Sequence, residues 1–101
     1  MHLNHFVNGE VLAITPLRPG STRIGRHHDA DLFLLDASVS CQHALIRVEA
    51  DGAVVLVDLD SRSGTYVNGK RVRGPYQLHH GDRIRLGGMV MEFVEDLARA
   101  A

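Results

Sequence analysis

The rhythm of turn signals constrains this chain more than any other feature. Asn8-Gly9, Pro19-Gly20, Asp51-Gly52, Ser63-Gly64, Asn68-Gly69, Gly74-Pro75 and Gly81-Asp82 recur at short intervals, separated by runs rich in Val, Ile, Leu and Thr. Short strands punctuated this often predict an all-β sandwich or barrel. Alternation supports this. Ile84 and Leu86 alternate with Arg83 and Arg85; Met89, Met91 and Phe93 share one face, as do Ala44, Ile46 and Val48. Such a period of two marks strands with one face in the core and the other in water. The nearly unbroken apolar run Ala53–Leu59 suits a central strand covered on both sides. Asn68-Gly69 predicts a hairpin, because both residues tolerate the positive φ of a type I′ turn. Only Glu95–Ala101 reads as helical, a short and frayed final turn.

At 101 residues the chain is one domain, spanning 1–101. Its hydrophobic content of 45% and charged content of 23% are those of a globular protein with one core. The formal net charge of −1 creates no global field toward nucleic acid or membrane, so any electrostatic function needs a local cluster. No stretch has the roughly 20 apolar residues of a transmembrane helix, and the N-terminus lacks signal-peptide order. The lone Cys41 excludes an internal disulfide and a four-cysteine zinc site. A cytoplasmic location is expected.

Three polar segments interrupt the apolar lattice: Ile24-Gly25-Arg26-His27-His28, Val39-Ser40-Cys41-Gln42-His43-Ala44, and Asp60 through Gly69 (DSRSGTYVNG). Binding residues commonly sit on such loops, held by a rigid scaffold. The order Gly-Arg, Ser-x-x-His, Ser-x-x-Gly-Thr-x-x-Asn-Gly, followed by Gly81-Asp82-x-Ile84-x-Leu86-Gly87, resembles the forkhead-associated (FHA) family. The resemblance runs from about Ile24 to Phe93, within a motif-bearing core of about residues 20–94.

That resemblance implies a sandwich of two twisted, mainly antiparallel sheets, FHA/SMAD-like, with about eleven strands. It implies a non-catalytic module for protein–protein interaction in Ser/Thr kinase-dependent signalling, whose partner carries phosphothreonine. The physical chemistry fits. A phosphothreonine brings about −1.5 to −2 charge and three strong acceptor oxygens. Arginine offers a planar fork that never loses its charge, and serine a short hydroxyl donor. By the resemblance Arg26 and Ser40 clamp the phosphate, Arg62 and Ser63 face the peptide, and Cys41 lines the rim. Gly25, His43, Gly64, Thr65 and Asn68 support the site structurally.

Two positions depart from the family pattern. Cys41 stands where Arg or Asn is frequent, and Ser63 stands where Asn usually bonds the peptide backbone. Serine has the shorter reach, so weaker or differently specified binding is expected, by about tenfold. These departures keep an alternative open: a degenerate FHA scaffold that binds its partner without phosphate. A Cys41–His43 contact is geometrically open if the two share a strand face. The seven histidines include the pairs His27-His28 and His79-His80. Adjacent strand residues face opposite sides, and no acidic or cysteine ligand falls at a known metal spacing, so no metal or other cofactor is expected. No nucleophile elbow or phosphate loop suggests an enzyme.

Overall fold

The computed structural model describes residues 1–95. These form eleven strands: β1 (His2–Val7), β2 (Glu10–Pro16), β3 (Gly20–Gly25), β4 (Leu32–Phe33), β5 (Ala44–Val48), β6 (Val54–Asp58), β7 (Thr65–Val67), β8 (Lys70–Arg71), β9 (Tyr76–Gln77), β10 (Arg83–Leu86) and β11 (Met89–Val94). A six-stranded sheet runs β2-β1-β11-β10-β7-β8, and a five-stranded sheet runs β4-β3-β5-β6-β9. Every pairing is antiparallel except that of β3 with β4. The two-layer β-sandwich expected from the sequence is therefore present. The expected terminal helical turn falls almost wholly on residues 96–101, outside the described residues.

The alternation read from the sequence builds the core. Leu3, Ile46, Leu56, Ile84, Leu86, Met91 and Phe93 are all 0% exposed, and Ile24 is 1%. Burying each such side chain stabilises the fold by roughly 1.5–3 kcal/mol. Asn68, with φ 51°, and Gly69 form the tight turn between β7 and β8, as their sequence predicts. The expectation for Ala53–Leu59 needs correcting. The strand is Val54–Asp58, and only Val54 and Leu56 are buried, while Val55 and Val57 are half-buried. A two-layer sandwich leaves the outer face of each sheet without a covering layer. Val55 has Arg47 and Gln77 beside it in register, and Val57 has Leu45.

Topology gathers the three polar segments at one end. Ile24 near the end of β3 pairs with Ala44 at the start of β5, and Ala44 pairs with Asp58 at the end of β6. In the other sheet, Thr65 at the start of β7 pairs with Leu86, and Leu86 pairs with Met89. The loops after β3, before β5 and before β7 thus emerge side by side.

Candidate functional site

Gly25 fixes how closely the first two loops approach. A Cβ there would lie 2.0 Å from the Cys41 carbonyl oxygen, so only glycine fits. The close approach lets Arg26 N donate to Ser40 O (2.9 Å) and His27 N to Cys41 O (3.3 Å). Arg26 Nε donates to Val39 O at 2.9 Å. That bond holds the guanidinium in place while both Nη groups stay available.

His43, 0% exposed, joins the second loop to the third. Its Nδ1 accepts the Ser40 N–H at 3.0 Å, so the ring proton is on Nε2, which donates to Gly64 O at 2.9 Å. Both nitrogens are committed and Cys41 is exposed. The Cys41–His43 contact left open by the sequence therefore does not form, because the chain bends at Cys41 and His43 turns inward.

Asp58 organises the third loop. Its Oδ1 accepts from Ser61 Oγ (2.6 Å) and Thr65 Oγ1 (2.7 Å), and its Oδ2 from Ser61 N (3.2 Å). Burial alone would raise the carboxyl's pKa. The hydrogen bonds from Ser61 and Thr65, with a contribution from His43, outweigh it and hold Asp58 below the usual carboxylate value. Ser61 Oγ in turn accepts from Gly64 N at 3.0 Å. Gly64 has φ +88°, which most side chains would strain to adopt.

Arg26, Ser40 and Arg62 meet in one groove, lined by these three with Ala37, Ser38, Val39, Cys41 and Ser63. No carboxylate is among these residues. Ser40 Oγ accepts from Arg62 N at 3.0 Å, which leaves its own proton free to donate. Ser63 differs: its hydroxyl donates to Ser38 O at 2.8 Å, so it faces the groove as an acceptor only. All five residues expected to contact a ligand, Arg26, Ser40, Cys41, Arg62 and Ser63, meet in this groove.

The expected supports divide. Gly25, His43, Gly64 and Thr65 brace the loops. Asn68 does not reach them. Its Nδ2 donates to Asp82 Oδ1 (3.0 Å) and its Oδ1 accepts from Arg83 N (3.0 Å), at the other end of β7.

Sequence reasoning missed Asp58 and Ser38, and it quoted Ser61 in the motif without assigning it a role. Ser38 Oγ accepts from Gly88 N at 2.7 Å, and Ser38 N donates to Asp36 Oδ1 at 2.9 Å. The Asp36-x-Ser38 spacing was the available signal for such a local turn. His27 and His28 lie in the exposed loop after β3, as the polar segment there predicts. Because the loop bends and turns at this point, their rings stack 4.5 Å apart with Asp29 alongside, where strand neighbours would have faced opposite sides. His27 lines a neighbouring cleft with Arg23, Asp29, Cys41 and Gln42, outside the Arg26 groove.

Comparison with known proteins agrees with this geometry. The FHA domain family model matches residues 22–87. The transcriptional regulatory protein EmbR of Mycobacterium tuberculosis is 44% identical over 71 residues, covering 70% of this chain and 18% of EmbR. The oxoglutarate dehydrogenase inhibitor of Corynebacterium diphtheriae is 40% identical over 75 residues, covering 74% of this chain and 51% of the inhibitor. This chain thus spans about half, or much less, of the curated relatives it matches. Among solved structures, an FHA domain from a study of phosphothreonine-dependent FHA interactions superposes with a TM-score of 0.82 at 35% identity, covering 94% of this chain and 97% of that one.

Proposed function

The chain belongs to the FHA domain family, and on that premise we propose that it binds phosphothreonine-containing segments of a partner protein and does no chemistry on them. One observation carries the reading: the uncommitted donors of Arg26, Ser40 and Arg62 converge on a single groove that no carboxylate lines. A phosphate dianion needs fixed cationic and hydroxyl donors aimed at one point. Arg26 is pinned by the Val39 carbonyl, so little side-chain entropy is lost on binding. Ala37 gives the groove an exposed apolar side chain against which a threonine methyl group can rest. Arg62 gives the second charge, and Cys41 and Ser63 border the path of the flanking peptide.

The same reading places the domain in Ser/Thr kinase-dependent signalling, and so in the cytoplasm, where kinases have ATP. Among the described residues no helix is long and apolar enough to cross a membrane. The partner is a protein, with no nucleic acid, membrane or cofactor required.

The test is titration of a phosphothreonine peptide library, with unphosphorylated and phosphoserine counterparts, against the wild type and Arg26→Ala. Binding should require the phosphate and weaken about thirtyfold in the variant, the roughly 2 kcal/mol of a hydrogen bond to a charged group. Binding that survives both phosphatase treatment and Arg26→Ala would instead identify a scaffold that ignores phosphorylation.

A further inference from the structure

The outer face of the six-stranded sheet is ordered in a way that core packing does not require. Register aligns Val11, Phe6, Val90, Arg85, Tyr66 and Arg71 in one row across all six strands. A second row holds Ile14, Asn4, Glu92 and Arg83. The arginines do not float. The Arg83 guanidinium crosses β11 to lie 4.5 Å from the Phe6 ring centroid, and that of Arg85 lies 4.1 Å from the Tyr66 centroid. Arg85 Nη1 also donates to Gly87 O at 3.2 Å. None of Arg71, Arg83 and Arg85 forms an ion pair among the described residues, while Arg23 and Arg47 do. Arginines stacked on aromatic rings are already ordered, and their outward N–H groups stay free for carboxylates.

This face is continuous with the phosphate groove. A Cβ on Gly64 would lie 3.0 Å from Arg71 Nε and 3.2 Å from Tyr66 Cε1. Arg71 and Tyr66 therefore rest on the loop whose Arg62 and Ser63 line the groove. A chain leaving the groove across Gly64 meets Arg71 first, and Arg85 two strands farther on, about 10 Å away. At its far edge the face turns apolar, with Ile14 60% and Val11 44% exposed.

We propose that this face is a second docking surface, which takes an acidic segment of the same protein that presents phosphothreonine to the groove. The inference rests on the phosphate-reading assignment above. Charge complementarity and continuity with the groove identify the occupant as that partner's own chain. Glu92 in the second row and the apolar edge at Val11 and Ile14 suit a peptide of mixed acidic and apolar residues. They would oppose, or gain nothing from, a nucleic-acid backbone.

The experiment uses a phosphothreonine peptide that binds the domain, extended at either terminus by a tail of about eight Glu and Leu residues, long enough to reach Arg83 at about 3.3 Å per residue. A Gln-for-Glu tail is the control. Affinities are measured for the wild type, Arg83→Gln/Arg85→Gln and Arg83→Lys/Arg85→Lys, at low and high salt, with melting temperatures to verify folding. From one terminus, the acidic tail should raise affinity about fivefold through its effective concentration. The gain should vanish in the Gln variant, return in part in the Lys variant, and shrink at high salt. The tail-less peptide should bind all three proteins alike.

If the tail-less peptide binds but neither tail adds affinity, or a tail adds as much in the Gln variant, the second surface is overturned and the phosphate reading stands. If no phosphopeptide binds, the phosphate reading fails and the tail alone decides. Amide shifts along β7 and β10 on adding the unphosphorylated Glu-Leu peptide support the surface, and their absence overturns it. Tighter binding of a single-stranded oligonucleotide than of the acidic peptide at Tyr66 and Arg85 would also overturn it.

Discussion

The two ends of β7 are built from the same parts and do different things. At its far end Asn68 and Asp82 satisfy one another and the turns around them. Asp82 takes Asn68 Nδ2 on one oxygen and His79 N on the other, and Asn68 Oδ1 takes Arg83 N. At its near end His43 and Asp58 tie three loops together just as thoroughly. The near end, however, also holds Arg26 with both Nη groups uncommitted, and Ser40 with its proton free. A polar cluster whose hydrogen-bonding capacity is filled is architecture. One that holds cationic donors in place and leaves them unfilled has capacity to spare for a ligand. The motif residues of this family fall on both sides of that line, within about 13 Å of each other along the strand.

Removing the tie at each end separates the two roles, and the near end should give the larger effect. His43→Ala strands the Ser40 N–H and the Gly64 carbonyl in a buried place, at about 1–3 kcal/mol each, so a total loss near 3 kcal/mol is expected. It also frees Ser40 and the third loop, so phosphopeptide affinity should fall about tenfold in the protein that still folds. Asn68→Ala removes two bonds from an exposed turn and puts alanine at a φ of 51°, which costs about 1–2 kcal/mol. Its affinity should stay within about twofold of wild type. Urea unfolding and calorimetric titration of both variants test the contrast. A loss of affinity in Asn68→Ala comparable to that in His43→Ala would show that the two ends are coupled through β7.

Acid sharpens the comparison, with a smaller effect. Asp58 has its carboxyl held below the ordinary value of 3.8 in the fold, so the unfolded chain takes up its proton first as pH falls. Its contribution to stability is complete above 3.8 and is lost as pH drops through the lower folded value. Asp58→Asn should be less stable than wild type near neutrality, and that deficit should narrow below about pH 4. Urea midpoints along a pH series measure both. A deficit independent of pH would mean that Asp58 acts only through shape.

Much of this was legible in the chain, for physical reasons that can be named. Ile84 and Leu86 alternate with arginines, and that period fixes which face is core. The loop motifs assign Arg26, Ser40, Cys41, Arg62 and Ser63 to one ligand site, and all five line the same groove. The two-residue strands Leu32–Phe33 and Tyr76–Gln77 are too short to show a period. Asp58 looked like the end of an apolar run, because its role depends on Ser61 and Thr65 folding back onto it. Arg83 over Phe6 requires the register of two strand pairs, one joining segments more than 80 residues apart. His27 and His28 converge because the backbone bends there, where a strand would have separated them.

Ser63 is the subtlest case. The sequence identifies it as a short replacement for the family's asparagine; the structure adds that its proton is committed to Ser38 O, 25 residues away. The hydroxyl therefore helps hold the loops and offers the peptide only lone pairs. Ser63→Asn restores a longer side chain with both a donor and an acceptor. The donor can keep the Ser38 carbonyl satisfied while the acceptor reaches a peptide N–H. One regained neutral hydrogen bond is worth about 0.5–1.5 kcal/mol, so a gain of about twofold to twelvefold for phosphothreonine peptides is expected, with none for unphosphorylated ones. A gain with unchanged stability would place Ser63 among the contacts of the near end. A loss of stability without a gain would place it with Asn68, among residues whose bonding the fold itself has already filled.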